Sequence, residues 1–177
     1  MSEKNKVGGF SNFEDGLKAS LYGDELESAL SFVNYLKING IMTVFSGQEN
    51  IWHVRYQSEH VCVIAFFSKT EKPICFYDGV TKQPEPWTIF WGDYDDYEHV
   101  DVQVDEQFKE YCWASVHICE NCPCNSLMNM SRTIFGKYFE NLCHCSLAFT
   151  NPNADEMEHI KKLVEMRKCN IDDKRVF

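Results

Sequence analysis

The sequence has little positive charge and no long apolar run. Lysine and arginine number 17 against 27 aspartates and glutamates, so the formal net charge is -10 at pH 7. A nucleic-acid-binding domain needs a basic surface that displaces counterions from phosphates, so we expect no nucleic-acid partner. No run of about 18 apolar residues is present, and the first residues are polar. We therefore expect no membrane span, no membrane partner and a cytoplasmic location.

Familiar catalytic motifs are also lacking. The sequence contains no G-x-S-x-G nucleophile elbow and no glycine-rich loop of the G-x-G-x-x-G or G-x-x-x-x-G-K type. The acidic stretch at 93–98 lacks the regular alternation and the distal glutamate of a calcium-binding hand, so we interpret it as a solvated loop. No motif in this chain names a substrate or a reaction.

The composition is that of a folded domain. Hydrophobic residues make up 44% and aromatic residues 14% of the 177 positions. A chain of this length buries roughly 70% of its unfolded surface when it folds as one domain. No repeat or low-complexity linker marks a boundary. We predict a single domain over 1–177, with residues 1–20 as a loose lead-in.

The hydrophobic periodicity predicts an α+β fold. Helices are expected after Asp24 and after Asp105, both good N-cap residues. A last helix is expected to start within 151–153, with Pro152 at an early helical position or Asn153 as the cap. Short connections between consecutive strand-like segments favour antiparallel pairing. We predict an antiparallel sheet of about five strands, packed by N- and C-terminal helices. Its strands are expected at 42–45, 51–56, 61–67, 73–77 and 87–91.

Aromatic residues are concentrated on the predicted sheet. Alternation along a strand sends neighbouring side chains to opposite faces. Either helices cover both faces and the rings form the core, or some rings wall a pocket for a small organic ligand or a protein partner. His53 alternates with Trp52 and is expected at the surface. The rings concerned are Trp52, Tyr56, Phe66, Phe67, Phe76, Tyr77, Trp87 and Trp91.

The most informative feature is a cluster of thiols. Five of the nine cysteines lie within 27 residues. The spacing Cys119-x-x-Cys122 lets two thiolates of one turn reach a single ion, and a second cysteine pair follows about twenty residues later. We predict a cysteine-rich metal knuckle at 117–145 that holds a structural zinc ion. Its candidate ligands are Cys119, Cys122, Cys124, Cys143 and Cys145.

The ligand set stays open at this point. Cys143 and Cys145 are separated by one residue, which strains binding to one tetrahedral ion. Cys124, His117 or His144 could therefore replace one of them. An iron–sulfur cluster would use the same thiolates.

Two other roles for cysteine are considered. A redox pair is disfavoured because Cys119 and Cys122 follow the C-terminal end of a predicted helix, where the helix dipole disfavours a thiolate. Cysteines inside apolar strand or helix faces are expected to pack in the core. These are Cys62, Cys75 and Cys112.

The second half of the chain resembles a family of small uncharacterised bacterial proteins. The resemblance covers roughly residues 105–169. It is carried by the cysteine-rich segment, by the stretch Thr-Ile-Phe-Gly-Lys-Tyr-Phe at 133–139 and by the C-terminal helix. It implies a bacterial origin and metal-ligand roles for Cys119, Cys122, Cys124 and Cys143. It implies no activity.

These observations lead to two functional hypotheses. The first is a non-enzymatic cytoplasmic domain that binds a small ligand or a protein and carries a structural zinc ion. The second is an enzyme that uses the metal or a thiolate. The sequence does not decide between them.

Overall fold

The computed structural model describes residues 12–47, 50–66, 86–92, 104–118 and 130–174. This part of the chain forms four helices and a seven-stranded antiparallel sheet, which confirms the α+β fold class. No helix within these ranges is long and apolar enough to cross a membrane. The helices are α1 (Phe13–Ser20), α2 (Gly23–Ile38), α3 (Glu106–Ala114) and α4 (Ala154–Asp173).

The strands are connected by antiparallel pairs throughout. They are β1 (Met42–Phe45), β2 (Ile51–Tyr56), β3 (Glu59–Phe66), β4 (Trp87–Trp91), β5 (Val116–Ile118), β6 (Met130–Ile134) and β7 (Lys137–Thr150). Their order is β1-β2-β3-β4-β7-β5, and β6 also pairs with β7. The predicted strand at 73–77 lies outside the described residues. The sheet exceeds the expected five strands because β5, β6 and β7 occupy the second half of the chain.

Two helix starts follow the predicted local chemistry. Asp105 accepts a hydrogen bond from the backbone N–H of Phe108 and caps α3. Asn153 caps α4, and the carboxylate of Glu156 accepts a hydrogen bond from the backbone N–H of Asn153. Each cap satisfies N–H groups that the first turn of a helix leaves without a partner.

Two predictions about the first forty residues are wrong. Residues 13–20 are not a loose lead-in but form α1, which Asn12 caps. The helix expected after Asp24 begins at Gly23, and its N-cap residue Tyr22 makes no side-chain hydrogen bond to the cap. The apolar stripe of α2 therefore indicated the position of this helix correctly, whereas the predicted cap at Asp24 did not.

The core lies between the helices and one face of the sheet. All four helices contribute buried side chains to one cluster, among them Phe13, Phe32, Phe108 and Ile160. Alternate residues of the central strands complete it. They are Trp52, Val54, Ile64, Phe66, Ile89, Trp91, Leu147 and Phe149.

The residues between them along the strands point to the opposite face. A row of mutually paired residues crosses five strands there: Val44, His53, Val63, Phe90 and Ala148. Ile51 and Ala65 form a second, much smaller buried cluster on this face. The two faces thus differ in both size and polarity of their buried side chains.

Candidate functional site

The cysteine-rich region is only partly described. Cys143 is buried and Cys145 is half-buried, and both lie inside the fourteen-residue strand β7. Cys119, Cys122 and Cys124 lie outside the described residues. The cysteine-rich knuckle over 117–145 therefore stays a prediction.

The strand pairing nevertheless brings the ends of the cysteine segment together. Ile118, which precedes Cys119, pairs with Leu142. Met130, the first described residue after the segment, also pairs with Leu142. Directly opposed residues of antiparallel strands have Cα atoms about 4.5–5.5 Å apart. Both ends of segment 119–129 thus meet at Leu142, the neighbour of Cys143 in the sequence.

The candidate histidines of this region occupy different environments. His117 is half-buried, with its ring centroid 6.4 Å from that of Phe90, and burial lowers the pKa of its imidazole. His144 is exposed on β7. Within the described ranges, no group of three or more histidine, cysteine or acidic side chains converges on one point.

Two of the predicted core thiols are buried in the main cluster. Cys62 and Cys112 are buried there. Burial raises the pKa of Cys62 far above its usual range and raises the pKa of Cys112 to about 12. Both thiols are therefore protonated at neutral pH and are poor nucleophiles. Cys75 lies outside the described residues.

The helix before the cysteine segment ends earlier than predicted. α3 ends at Ala114, and the strand β5 lies between it and Cys119. The dipole of α3 therefore does not act directly on the first cysteine of the segment.

The predicted aromatic rings that are described belong to or pack against the main core. Trp52, Phe66, Trp87 and Trp91 are all buried in the main cluster. Tyr56 is half-buried and packs against the same cluster. Phe67, Phe76 and Tyr77 lie outside the described residues. Because the buried rings contact helices and one another, a partner has to be sought at another surface.

Among the described residues, four exposed apolar side chains lie at β1 and the end of α2. Ile38 is 75% exposed at the end of α2, and Met42, Val44 and Phe45 on β1 are 56%, 41% and 44% exposed. Met42 and Val44 point to the face that carries His53, and Phe45 points to the helix-covered face. A cleft of about 440 Å³ lies beside them, between α2 and β1, with Val33, Leu36 and Ile41 in its wall.

The sequence predicted β1 as a strand but gave no signal that it ends the described sheet. We call these four exposed side chains and the adjoining cleft the β1 surface.

A histidine pair on β2 and β3 was also missed. The Nδ1 atom of His53 lies 3.3 Å from the Nε2 atom of His60. In the sequence, His60 lies between the predicted strands at 51–56 and 61–67, and nothing in the local pattern connects it with His53. Only the register of two neighbouring strands shows the contact.

Comparison with protein-family models, with curated proteins and with solved structures found no match to this chain. The resemblance to a bacterial family over residues 105–169 therefore stays a prediction. The function has to be argued from the geometry of the residues described above.

Proposed function

We propose that this chain is a non-enzymatic, cytoplasmic protein-binding domain that associates through the β1 surface and carries a structural zinc ion at its cysteine-rich region. The observation that supports the binding role is the exposure of Ile38, Met42, Val44 and Phe45 at one end of the strand order. Because the tryptophans of the sheet are buried, the aromatic face is covered, and this favours β1 as the surface that binds the partner.

The edge at β1 carries few of the features that keep edge strands from pairing. Proteins protect such edges with charged side chains, proline or bulges. The segment Met42–Phe45 has none of these, and its register with β2 is regular. An exposed, regular, apolar edge strand offers backbone hydrogen bonds and apolar contacts to another extended strand.

The occupant we propose is a second copy of this chain. A two-fold axis through Val44 would place Val44 opposite its own copy and Thr43 opposite Phe45. Such pairs of β-branched and aromatic residues favour antiparallel association. The formal charge of -10 makes two copies repel each other over most of their surface. The β1 surface does not contribute to this repulsion, because Lys37, the one charged residue that lines the cleft, is paired with Glu14.

The resulting interface is small, because it adds one short strand and one cleft wall from each chain. Interfaces below about 1,200 Å² are typically weak or transient. We therefore expect a dimer whose fraction rises with protein concentration in sedimentation velocity experiments.

The decisive experiment uses two opposite charges at one position. Val44→Lys and Val44→Glu should each sediment as a monomer, since like charges would lie directly opposite each other in the dimer. An equimolar mixture of the two variants should restore the dimer. Tyr138→Lys, at an exposed position on β7, is the matched control and should leave the dimer unchanged.

The outcomes separate self-association from other occupants. A wild-type chain that stays monomeric at every concentration, or a Val44→Lys variant that still dimerises, would overturn the assignment to a second copy. Restoration by the mixed variants would require that the two copies meet at Val44.

The proposal of a structural zinc ion is supported by the strand pairing around Leu142. Ile118 and Met130 flank the segment that carries Cys119, Cys122 and Cys124, and both pair with the residue next to Cys143. An ion bound by these thiolates and by Cys143 or Cys145 would tie segment 119–129 to β7. Structural zinc sites contribute their binding free energy directly to folding.

Elemental analysis of freshly purified protein tests this proposal. We expect one zinc per chain and a lower melting temperature after a chelator is added. Cys143→Ser should lower the zinc content, whereas Cys169→Ser, at an exposed position on α4, should not. Cys62→Ala controls for lost packing, because it should lower stability without changing the zinc content. A metal-free protein that melts identically with and without chelator would contradict the proposal.

A further inference from the structure

A β-bulge aims His60 toward His53. Val54 on β2 pairs with Cys62 on β3, but the next residue, Arg55, pairs with His60. The register between the two strands therefore shifts by one residue after Val54. Val61 is therefore the extra residue, and both Val61 and Cys62 are buried in the main core. In a regular register His60 would share the core face with Cys62. The extra residue instead sends the side chain of His60 to the opposite face.

Bulges of this kind recur beside functional sites, where they redirect a side chain. Here the redirected ring meets His53 edge to face, with the two ring centroids 5.4 Å apart. The facing nitrogens, Nδ1 of His53 and Nε2 of His60, are 3.3 Å apart and form a hydrogen bond in which one ring donates its N–H to the other. Two nitrogen ligands at 2.0–2.1 Å from a tetrahedral zinc ion are separated by about 3.3–3.4 Å.

From this juxtaposition we propose that His53 and His60 form a second metal site, which binds a divalent transition-metal ion such as zinc across β2 and β3. Its two ligands lie on β2 and β3, whereas the described cysteines of the cysteine-rich region, Cys143 and Cys145, lie on β7. It extends the proposed function and does not depend on it.

Burial disfavours the charged form of both imidazoles. It lowers the pKa of His60 to about 4, assisted by His53, Arg55 and Arg167. It also lowers the pKa of His53. The neutral form that this favours is the one that binds a metal ion. When a metal ion binds, each ring carries its single N–H on the nitrogen that faces away, and the two facing nitrogens supply the lone pairs.

The surroundings define the remaining coordination. The guanidinium of Arg55 donates to the carbonyl of Ser58, and Nε of Arg167 donates to the carbonyl of His60. These two cations repel a bare dication. They favour an ion whose other positions carry an anionic ligand such as hydroxide or a small carboxylate. Two protein ligands make an open and exchangeable site, in contrast to a closed structural site.

The experiment titrates the full-length purified protein with zinc alone and follows binding by calorimetry. We expect one zinc beyond the ion retained on purification. Loss of a residue that only supports a metal ligand typically lowers metal affinity by roughly 10- to 100-fold. His53→Gln and His60→Gln each remove a ligand and should therefore lower the zinc affinity by more than that. His144→Gln, at an exposed position on β7, is the matched control and should bind this zinc as the wild type does.

A second measurement reads the site in the unmodified protein. Zinc should shift the imidazole nitrogen resonances of His53 and His60 and leave those of His144 in place. The same shifts should persist in Cys143→Ser, which separates this site from the cysteine-rich one. Unshifted His53 and His60 resonances at saturating zinc, or unchanged zinc affinity in both glutamine variants, would overturn the proposal.

Discussion

The two faces of the sheet differ in the side chains that they bury. The helix-covered face is built from large apolar side chains such as Trp87, Trp91 and Phe149, all fully buried. Among the described residues, the opposite face carries a smaller buried apolar cluster, Ile51 and Ala65, beside His53, Arg55 and Thr88. In this part of the chain the large buried side chains therefore lie on one face, and the histidine pair lies on the other.

The difference has a direct cause in the strand register. On β3, one extra residue allows Val61 and Cys62 to be buried together in the core. The same bulge places His60 on the opposite face, beside His53. A single local irregularity therefore improves packing on one face and creates a polar pair on the other.

The largest expected contrast concerns thiol reactivity. Cys112 belongs to the helix-covered core, and its raised pKa of about 12 leaves it protonated at pH 8. Relative to an ordinary thiol with a pKa near 8.5, its thiolate fraction is lower by roughly a thousandfold. Alkylation followed by mass spectrometry should show Cys62 and Cys112 unlabelled in the native protein and labelled in denaturant. Rapid native labelling of either would show that the core face opens to solvent, and would favour the thiolate-enzyme alternative.

The second contrast compares adjacent residues of β4 that point to opposite faces. Ile89 is fully buried in the main core, and Phe90 is half-buried on the other face. Ile89→Ala should lower the free energy of unfolding by about 2–5 kcal/mol, the usual range for a buried isoleucine. Phe90→Ala removes more atoms but should cost less, since its ring is partly solvated. Denaturant unfolding of both variants measures this, and a larger loss for Phe90→Ala would reverse our ranking of the two faces.

A smaller effect is expected at the start of α4, a helix that covers the core face. Asn153 accepts hydrogen bonds from the backbone N–H groups of Asp155 and Glu156. Asn153→Ala should therefore cost about 0.5–2 kcal/mol of stability. Asn153→Asp keeps an acceptor at the cap and should restore most of the loss. Equal melting temperatures for the alanine variant and the wild type would show that tertiary packing alone holds this helix end.

The smallest effect concerns pH. The backbone N–H of Phe108 and the ammonium of Lys162 lower the pKa of Asp105. Since the folded pKa lies below the unfolded value near 3.9, this contribution is present above that value and is lost as the pH falls through the folded pKa. Melting temperatures of wild type and Asp105→Asn should therefore converge in acid. A difference that stays constant down to the acid transition would contradict this.

Elements with a local cause could be predicted from the sequence. The caps at Asp105 and Asn153 involve residues two or three positions away, so the sequence contains the whole interaction. The strand Trp87–Trp91 has the predicted bounds for a similar reason, since all five of its residues are β-branched or aromatic.

Elements with a distant cause could not be predicted. α1 is stable because Phe13 packs on Trp52 and Phe66, whose rings lie 5.2 and 5.9 Å away by centroid. Cys143 and Cys145 lie in β7 because that strand pairs with residues from β5 and β6 on its two sides. None of these partners is near in the sequence.

The candidate sites divide in the same way. The sequence alone named the cysteines, because their spacing is itself the signal, and it determined the α+β class through hydrophobic periodicity. Only the tertiary structure decided that segment 119–129 returns to Leu142, that β1 ends the described sheet, and that His60 faces His53. Strand order and register decide these features, since they arise from contacts between residues far apart in the chain.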